Sequence, residues 1–307
     1  MNLPAVSRSL ELIADGHSFL EGPRWHRDAL FVSDFYTHEV LRFDRDGRHV
    51  VCEVEGQPSG LGFTPDGRLL IVSMLDRRLL RLDGRALTEV ASFADLAPGP
   101  ANDMVVDASG RAYIGNFGSP PGVDLAFASL IRVDPDGTTR IAASRLGFPN
   151  GAVLTPDGRS LLLAETFVGR ISAFDVDANG GLGHRRTWAQ FGAAPDYYDE
   201  ERATRELALL PDGMALDAEG MLWVADAKGH GASRVRQGGE VVDFIDTGDL
   251  SVYAVALGGA DRRTLYMCCA PPHRTFDPST TRRSVLVTCR VPVSGAGTPS
   301  PRSGTAL

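Results

Sequence analysis

A polar residue followed eight positions later by a turn glycine recurs four times along this chain: Ser59 to Gly67, Asn102 to Gly110, Asn150 to Gly158 and Asp212 to Gly220. The copies read SGLGFTPDGRLLIVS, NDMVVDASGRAYIGN, NGAVLTPDGRSLLLAE and DGMALDAEGMLWVAD. A shortened copy, EGPRWHRDALFVSD, begins at Glu21, and a degenerate one, YAVALGGADRRTLYMCC, at Tyr253. Each is an apolar run, a turn and a second apolar run, which predicts an antiparallel hairpin. A second pair of strands follows in most copies, as in EVLRFDRDGRHVVCEV and SLIRVDPDGTTRIAAS. The leading residues lie 38, 43, 48, 62 and 41 positions apart, the span of a propeller blade of four short strands with loops of varying length. The expected fold is therefore all-β, a six-bladed β-propeller with four-stranded blades.

A six-fold repeat running almost from end to end of 307 residues argues for one closed unit. We place that domain at 8–292. The remainder, 293–307, is rich in Gly, Ser, Pro and Thr and is expected to be a flexible tail. The last copy is short of a fourth strand, whereas SLELIADG precedes the first. The N-terminal segment should then complete blade six and close the ring, which removes an exposed sheet edge. Helical signal is confined to DEERATRELALL.

With 39 acidic against 31 basic residues, the chain carries a formal charge of -8. No basic surface for nucleic acid or an anionic membrane follows from that balance, so the expected partner is a small-molecule substrate. No apolar run reaches the ~18 residues that span a bilayer, and MNLPAVSRSLELIADG has no signal-peptide core. The four cysteines, Cys52, Cys268, Cys269 and Cys289, lack zinc-ligand spacing and read as reduced, buried thiols. These features point to a cytoplasmic protein, monomer or dimer.

In a propeller the first strand of each blade lines the central channel, so residues that begin those strands form a ring at one mouth. Four of the six are Glu21, Asn102, Asn150 and Asp212. All offer oxygen and none offers sulfur or imidazole, the donor set of a hard divalent cation such as Ca²⁺, Mg²⁺ or Mn²⁺. Any one Asn or Asp at a strand start also suits an Asx turn. Four oxygen donors at one repeat position suit a cation better, because buried carboxylates need a counter-charge. The second strand of each hairpin returns to the same mouth. Its last residues, Ser33, Asp34, Ser73, Asn116, Glu165 and Asp226, are expected to form a wider ring, with Asn116 and Glu165 as substrate-binding candidates.

Four motifs in order, LEGPRW, PANDMVVD, FPNGAVLTPDG and LPDGMALDAEGMLWVAD, resemble the SMP-30/gluconolactonase (regucalcin-like) family over about residues 10–291. That resemblance implies a six-bladed propeller with one divalent cation in the channel, held by Glu21, Asn150 and Asp212, while Asn102 contacts substrate. The cation would be Ca²⁺ first, with Mg²⁺, Mn²⁺ or Zn²⁺ as alternatives. Sugar-lactonase members commonly carry Arg two residues before the first Asn, where this chain has Pro100. Lys228 and His230 are candidate replacements. Two insertions, 118–129 and 192–206, could cover the mouth and bring Leu125, Phe127, Tyr197 and Tyr198 to a partly apolar ligand.

The chemistry expected of such a site is metal-assisted opening of a lactone, with Asp212 as both ligand and general base. No GxSxG elbow supports a serine nucleophile. Alternatives left open by the sequence are organophosphate hydrolysis by a similar calcium propeller and a non-catalytic metal-binding sensor. A metal-free propeller of the strictosidine-synthase type conflicts with the oxygen ring.

Overall fold

Alternating apolar runs separated by Asp-Gly turns become six four-stranded antiparallel sheets in the computed structural model, which describes residues 8–120, 122–193 and 199–297. The innermost strands are Leu20–His26, Pro58–Phe63, Ala101–Val106, Pro149–Leu154, Pro211–Leu216 and Ser251–Gly258, one to each of blades one to six. Each packs against the innermost strands of its two neighbours and so encloses the channel. In blades one to five the strands follow sequence order from the channel outward.

Blade six departs from that order in the way the N-terminal segment predicts. Its outermost strand is Glu11–His17, paired antiparallel to Ser284–Arg290 with Leu12 opposite Val287. The first and last parts of the chain thus share one sheet, and the ring is closed by backbone hydrogen bonds. Apolar side chains from facing sheets fill the spaces between blades, as where Trp223 of blade five meets Met267 and Val287 of blade six. Cys268, Cys269 and Cys289 are buried free thiols and Cys52 is half-buried.

The stretch after 292 is less free than its composition suggests. Ser294 accepts the N–H of Ala218 at 2.8 Å, and Ala296 donates to Leu216 at 2.9 Å. Gly295 bridges Asp217. Residues 293–297 are therefore tied to the far end of blade five, because their extended backbone satisfies groups that the strand end exposes. Residues 298–307 lie outside the described residues. The helical signal resolves into one helix, Glu200–Glu206, capped by Asp199, whose carboxylate accepts the Arg202 N–H at 2.7 Å. Among the described residues no helix is long and apolar enough to cross a membrane.

Candidate metal centre and active-site cavity

Pairing between the first two strands slips at the leading position of every blade. In blade five Pro211 pairs with Asp226 and Met214 with Val224, so Asp212 and Gly213 oppose a single residue. Blades two, three and four repeat this two-against-one arrangement at Ser59, Asn102 and Asn150. A bulge of this kind bends the strand and re-aims its side chains, here into the channel. Close approach of neighbouring inner strands then draws the donors together. A Cβ on Gly151 would lie 2.5 Å from the Asp212 carbonyl oxygen, and one on Gly213 would lie 2.6 Å from the Ala254 Cα. Glycine is required at both points.

Glu21, Asn102, Asn150 and Asp212 form the floor of a cavity of about 530 Å³ at one mouth of the channel. They are only 5 to 9 % exposed. The Asn102 amide nitrogen donates to the Pro149 carbonyl at 3.4 Å, and that of Asn150 donates to the Thr166 hydroxyl at 3.3 Å. With both amide nitrogens committed in this way, the amide oxygens are the atoms available to a ligand in the cavity. Glu21 Oε2 accepts the Gly22 N–H at 2.9 Å, whereas Asp212 Oδ1 is buried with no hydrogen-bond partner among the described residues. Burial, and next the Asp103 charge, push the Glu21 carboxyl up to about 8. Burial and then the charge of Glu21 raise Asp212 well above the usual carboxylate range.

Two repelling, desolvated carboxylates, one with an orphaned oxygen, and two amide oxygens fit a hard divalent cation. Among the described residues no three His, Cys, Asp or Glu side chains gather into a metal site. The donors are instead a mixed carboxylate and amide set. Glu21, Asn150 and Asp212 could hold the ion, with Asn102 beside it.

Asp103 escaped the sequence reading. It is buried and accepts from the Arg24 guanidinium at 2.7 Å, and Arg24 also donates to the Met104 carbonyl at 2.5 Å. Arg24 lines a separate hollow at the opposite mouth, so the pair stands behind the floor. The signal available was position: Asp103 directly follows the ring residue Asn102.

The wider polar ring exists, but it faces the protein. Glu165 is fully buried, accepts from Arg170 at 2.9 Å and from the Gly147 N–H at 2.8 Å, and also binds the Ser172 hydroxyl. Asp34 accepts the Ser18 and Phe19 N–H groups at 3.1 Å, and Asp226 accepts that of Leu210 at 3.0 Å. Each carboxylate holds the loop leading into its own blade. Asn116 is committed to the protein too, but to the segment that follows its strand: it accepts from the Gly118 N–H at 3.0 Å and donates to the Ser129 carbonyl at 2.6 Å. Neither Asn116 nor Glu165 lines the cavity. Ser33 donates to the Ser59 carbonyl at 2.7 Å.

Lys228 does line the cavity, yet its ammonium donates to the Thr204 and Leu207 carbonyls at 2.7 and 2.6 Å and so closes the end of the helix. His230 is exposed and away from the cavity. Phe127 is 47 % exposed beneath the Arg145 guanidinium, and neither it nor Leu125 reaches the cavity. Tyr197 and Tyr198 lie outside the described residues.

The cavity walls come from residues that flank the ring strands. Phe19 precedes Glu21 by two positions and Phe148 precedes Asn150 by two; Phe35 and Phe117 directly follow the second strands of blades one and three. Phe19 lies 4.6 Å from Tyr253 and 5.7 Å from Phe35, centroid to centroid. Phe148 stacks on Phe117 at 4.7 Å and meets Phe167 edge-on at 4.8 Å. Above them, Arg274 reaches Glu200 at 2.9 Å and Glu201 at 3.2 Å, joining the helix to the loop after 270 at the rim.

A closed six-bladed propeller with a ring of oxygen donors at the floor of a single mouth defines the class of protein. Residues 19–271 match the SMP-30/Gluconolactonase/LRE-like region, and the chain belongs to that family. It is 30% identical over 254 residues to a pentonolactonase of Haloferax volcanii, covering 81% of each chain. Its identity to a regucalcin of Danio rerio is 27% over 250 residues, with 81% and 77% covered. A solved gluconolactonase from Xanthomonas campestris superposes with a TM-score of 0.71 at 25% identity, covering 92% of this chain and 89% of that one.

Proposed function

We propose that this protein is a divalent-metal-dependent hydrolase that opens a lactone ring. The observation that carries this reading is the unpartnered Asp212 Oδ1 on a buried floor shared with Glu21, Asn102 and Asn150. The lactonase names of the Haloferax volcanii and Xanthomonas campestris relatives support the reaction class.

Glu21, Asn150 and Asp212 would hold the ion. When bound, the cation supplies Lewis acidity, polarising the ester carbonyl and favouring the negative charge that grows on its oxygen. Asp212 takes a proton from the attacking water and returns it to the departing ring oxygen, so that lactone and water give one hydroxy acid. Asn102, beside the metal ligands, orients the ester. The aromatic walls limit the water around the reacting carbonyl, which strengthens each polar interaction on the floor.

Chelator-stripped protein should lose hydrolysis of lactones and regain it on adding Ca²⁺, Mg²⁺, Mn²⁺ or Zn²⁺. Phosphotriesters assayed alongside test the organophosphatase alternative. Cation binding without turnover of either ester class would favour a sensor and overturn the enzymatic reading.

A further inference from the structure

Resting on the lactonase reading, we infer that the preferred substrate carries a flat apolar substituent, such as an aryl group, held between two aromatic walls above the polar floor. One wall comes from blades six and one, where the Phe19 ring meets both Phe35 and Tyr253. The other comes from blades three and four, with Phe117, Phe148 and Phe167. In a six-membered ring these blade pairs stand across the channel from each other, so a ligand on the floor meets aromatic surface on both sides.

Phe148 shows that the second wall is built at a cost. Its φ is +61°, a left-handed conformation that bulky residues rarely adopt. This backbone places a phenyl ring against Phe117 two residues before the metal-ligand candidate Asn150. Pro100 stands at the equivalent place before Asn102, and its carbonyl accepts the Phe117 N–H at 2.9 Å, so this position supplies no side-chain donor.

Polar groups on the walls are mostly committed to the protein. The Thr166 hydroxyl donates to the Pro211 carbonyl at 2.8 Å and that of Tyr253 to the Pro271 carbonyl at 3.0 Å. Lys228 is spent on the helix end and Arg274 on Glu200 and Glu201. A polyhydroxylated ring would lose its water here and find few replacements, which disfavours binding. An aryl group gains contact with ring faces and edges on both sides.

The test compares kcat/KM of the metal-loaded protein for γ-phenyl-γ-butyrolactone, γ-butyrolactone and glucono-δ-lactone. Calorimetry with two unreactive lactams, 5-phenylpyrrolidin-2-one and gluconolactam, reads binding without turnover. The phenyl lactone should exceed the unsubstituted one by ~10- to 100-fold, with gluconolactone lowest. Phe117→Leu and Phe35→Leu should each lower the phenyl-to-unsubstituted ratio by about tenfold, mainly through KM. Binding of the phenyl lactam with no turnover of any lactone would uphold the aromatic site and remove the lactonase reading. Preference for gluconolactone, failure of the phenyl lactam to bind, or equal binding of the two lactams would overturn the inference.

Discussion

Glu21 and Asp212 repel one another from the inner strands of blades one and five, with only the Tyr253 strand between them, and the Glu21 charge adds to burial in raising Asp212. A cation relieves that repulsion, so its binding must displace protons. With Glu21 near 8, metal affinity should rise with pH between about 6 and 8. Calorimetric titrations near pH 7 in buffers of different ionisation enthalpy should show proton release. Affinity independent of pH would contradict the shared carboxylate site.

The same shift sets the stability of the metal-free protein. A carboxyl raised from 4.5 to about 8 on folding keeps its proton in the native state where the unfolded chain has lost it. Stability therefore falls as pH rises across that window. Glu21→Gln removes the Glu21 share of this dependence, leaving that of the buried Asp212, and should raise the metal-free melting temperature above wild type at pH 8. Its cation affinity should drop, with activity partly restored by excess metal. A less stable metal-free variant would argue against repulsion at the floor.

Gly151→Ala tests the close approach that brings the donors together. The added Cβ would sit 2.5 Å from the Asp212 carbonyl oxygen and 2.7 Å from the Gly213 Cα, so backbone must move. A loss of ~1–3 kcal/mol, accompanied by weakened cation binding, is expected in denaturant melts and metal titrations. Wild-type affinity in the variant would mean that the spacing of blades four and five does not set the site.

Glu165→Gln distinguishes a loop-holding role from substrate binding. The carboxylate is buried against Arg170, Ser172 and the Gly147 N–H. Its neutralisation should cost on the order of 3 kcal/mol while cation affinity stays within about threefold. Unchanged stability with a large rise in KM would return Glu165 to the substrate.

Recurrence made the ring strands and their leading residues readable, since Glu21, Asn102, Asn150 and Asp212 occupy one position of a repeat that the fold reproduces blade by blade. The bulges behind them were not readable, because a strand with one extra residue keeps the same apolar pattern. Asp34, Glu165 and Asp226 were misleading for a different reason. A polar residue at a strand end suits both an open mouth and a loop N–H, and only the three-dimensional path of the loop decides. Phe19, Phe148, Phe35 and Phe117 did leave a signal, at two positions before the leading residue and one after the second strand. Only Phe148 falls within a family-like motif, FPNGAVLTPDG; the other three lie just beyond the repeat copies, and the insertions around Phe127 and Tyr197 were the more conspicuous apolar candidates.

The most direct test of the account is Asp212→Asn, assayed for cation binding and for kcat at saturating metal. Asparagine keeps one oxygen for the ion and cannot accept the proton of water. The account predicts weakened but measurable cation binding, with kcat lower by ~10²- to 10⁴-fold on the lactone turned over best by the wild type. Recovery to near wild-type kcat at saturating cation would contradict it, leaving Asp212 as a ligand only and placing the base elsewhere.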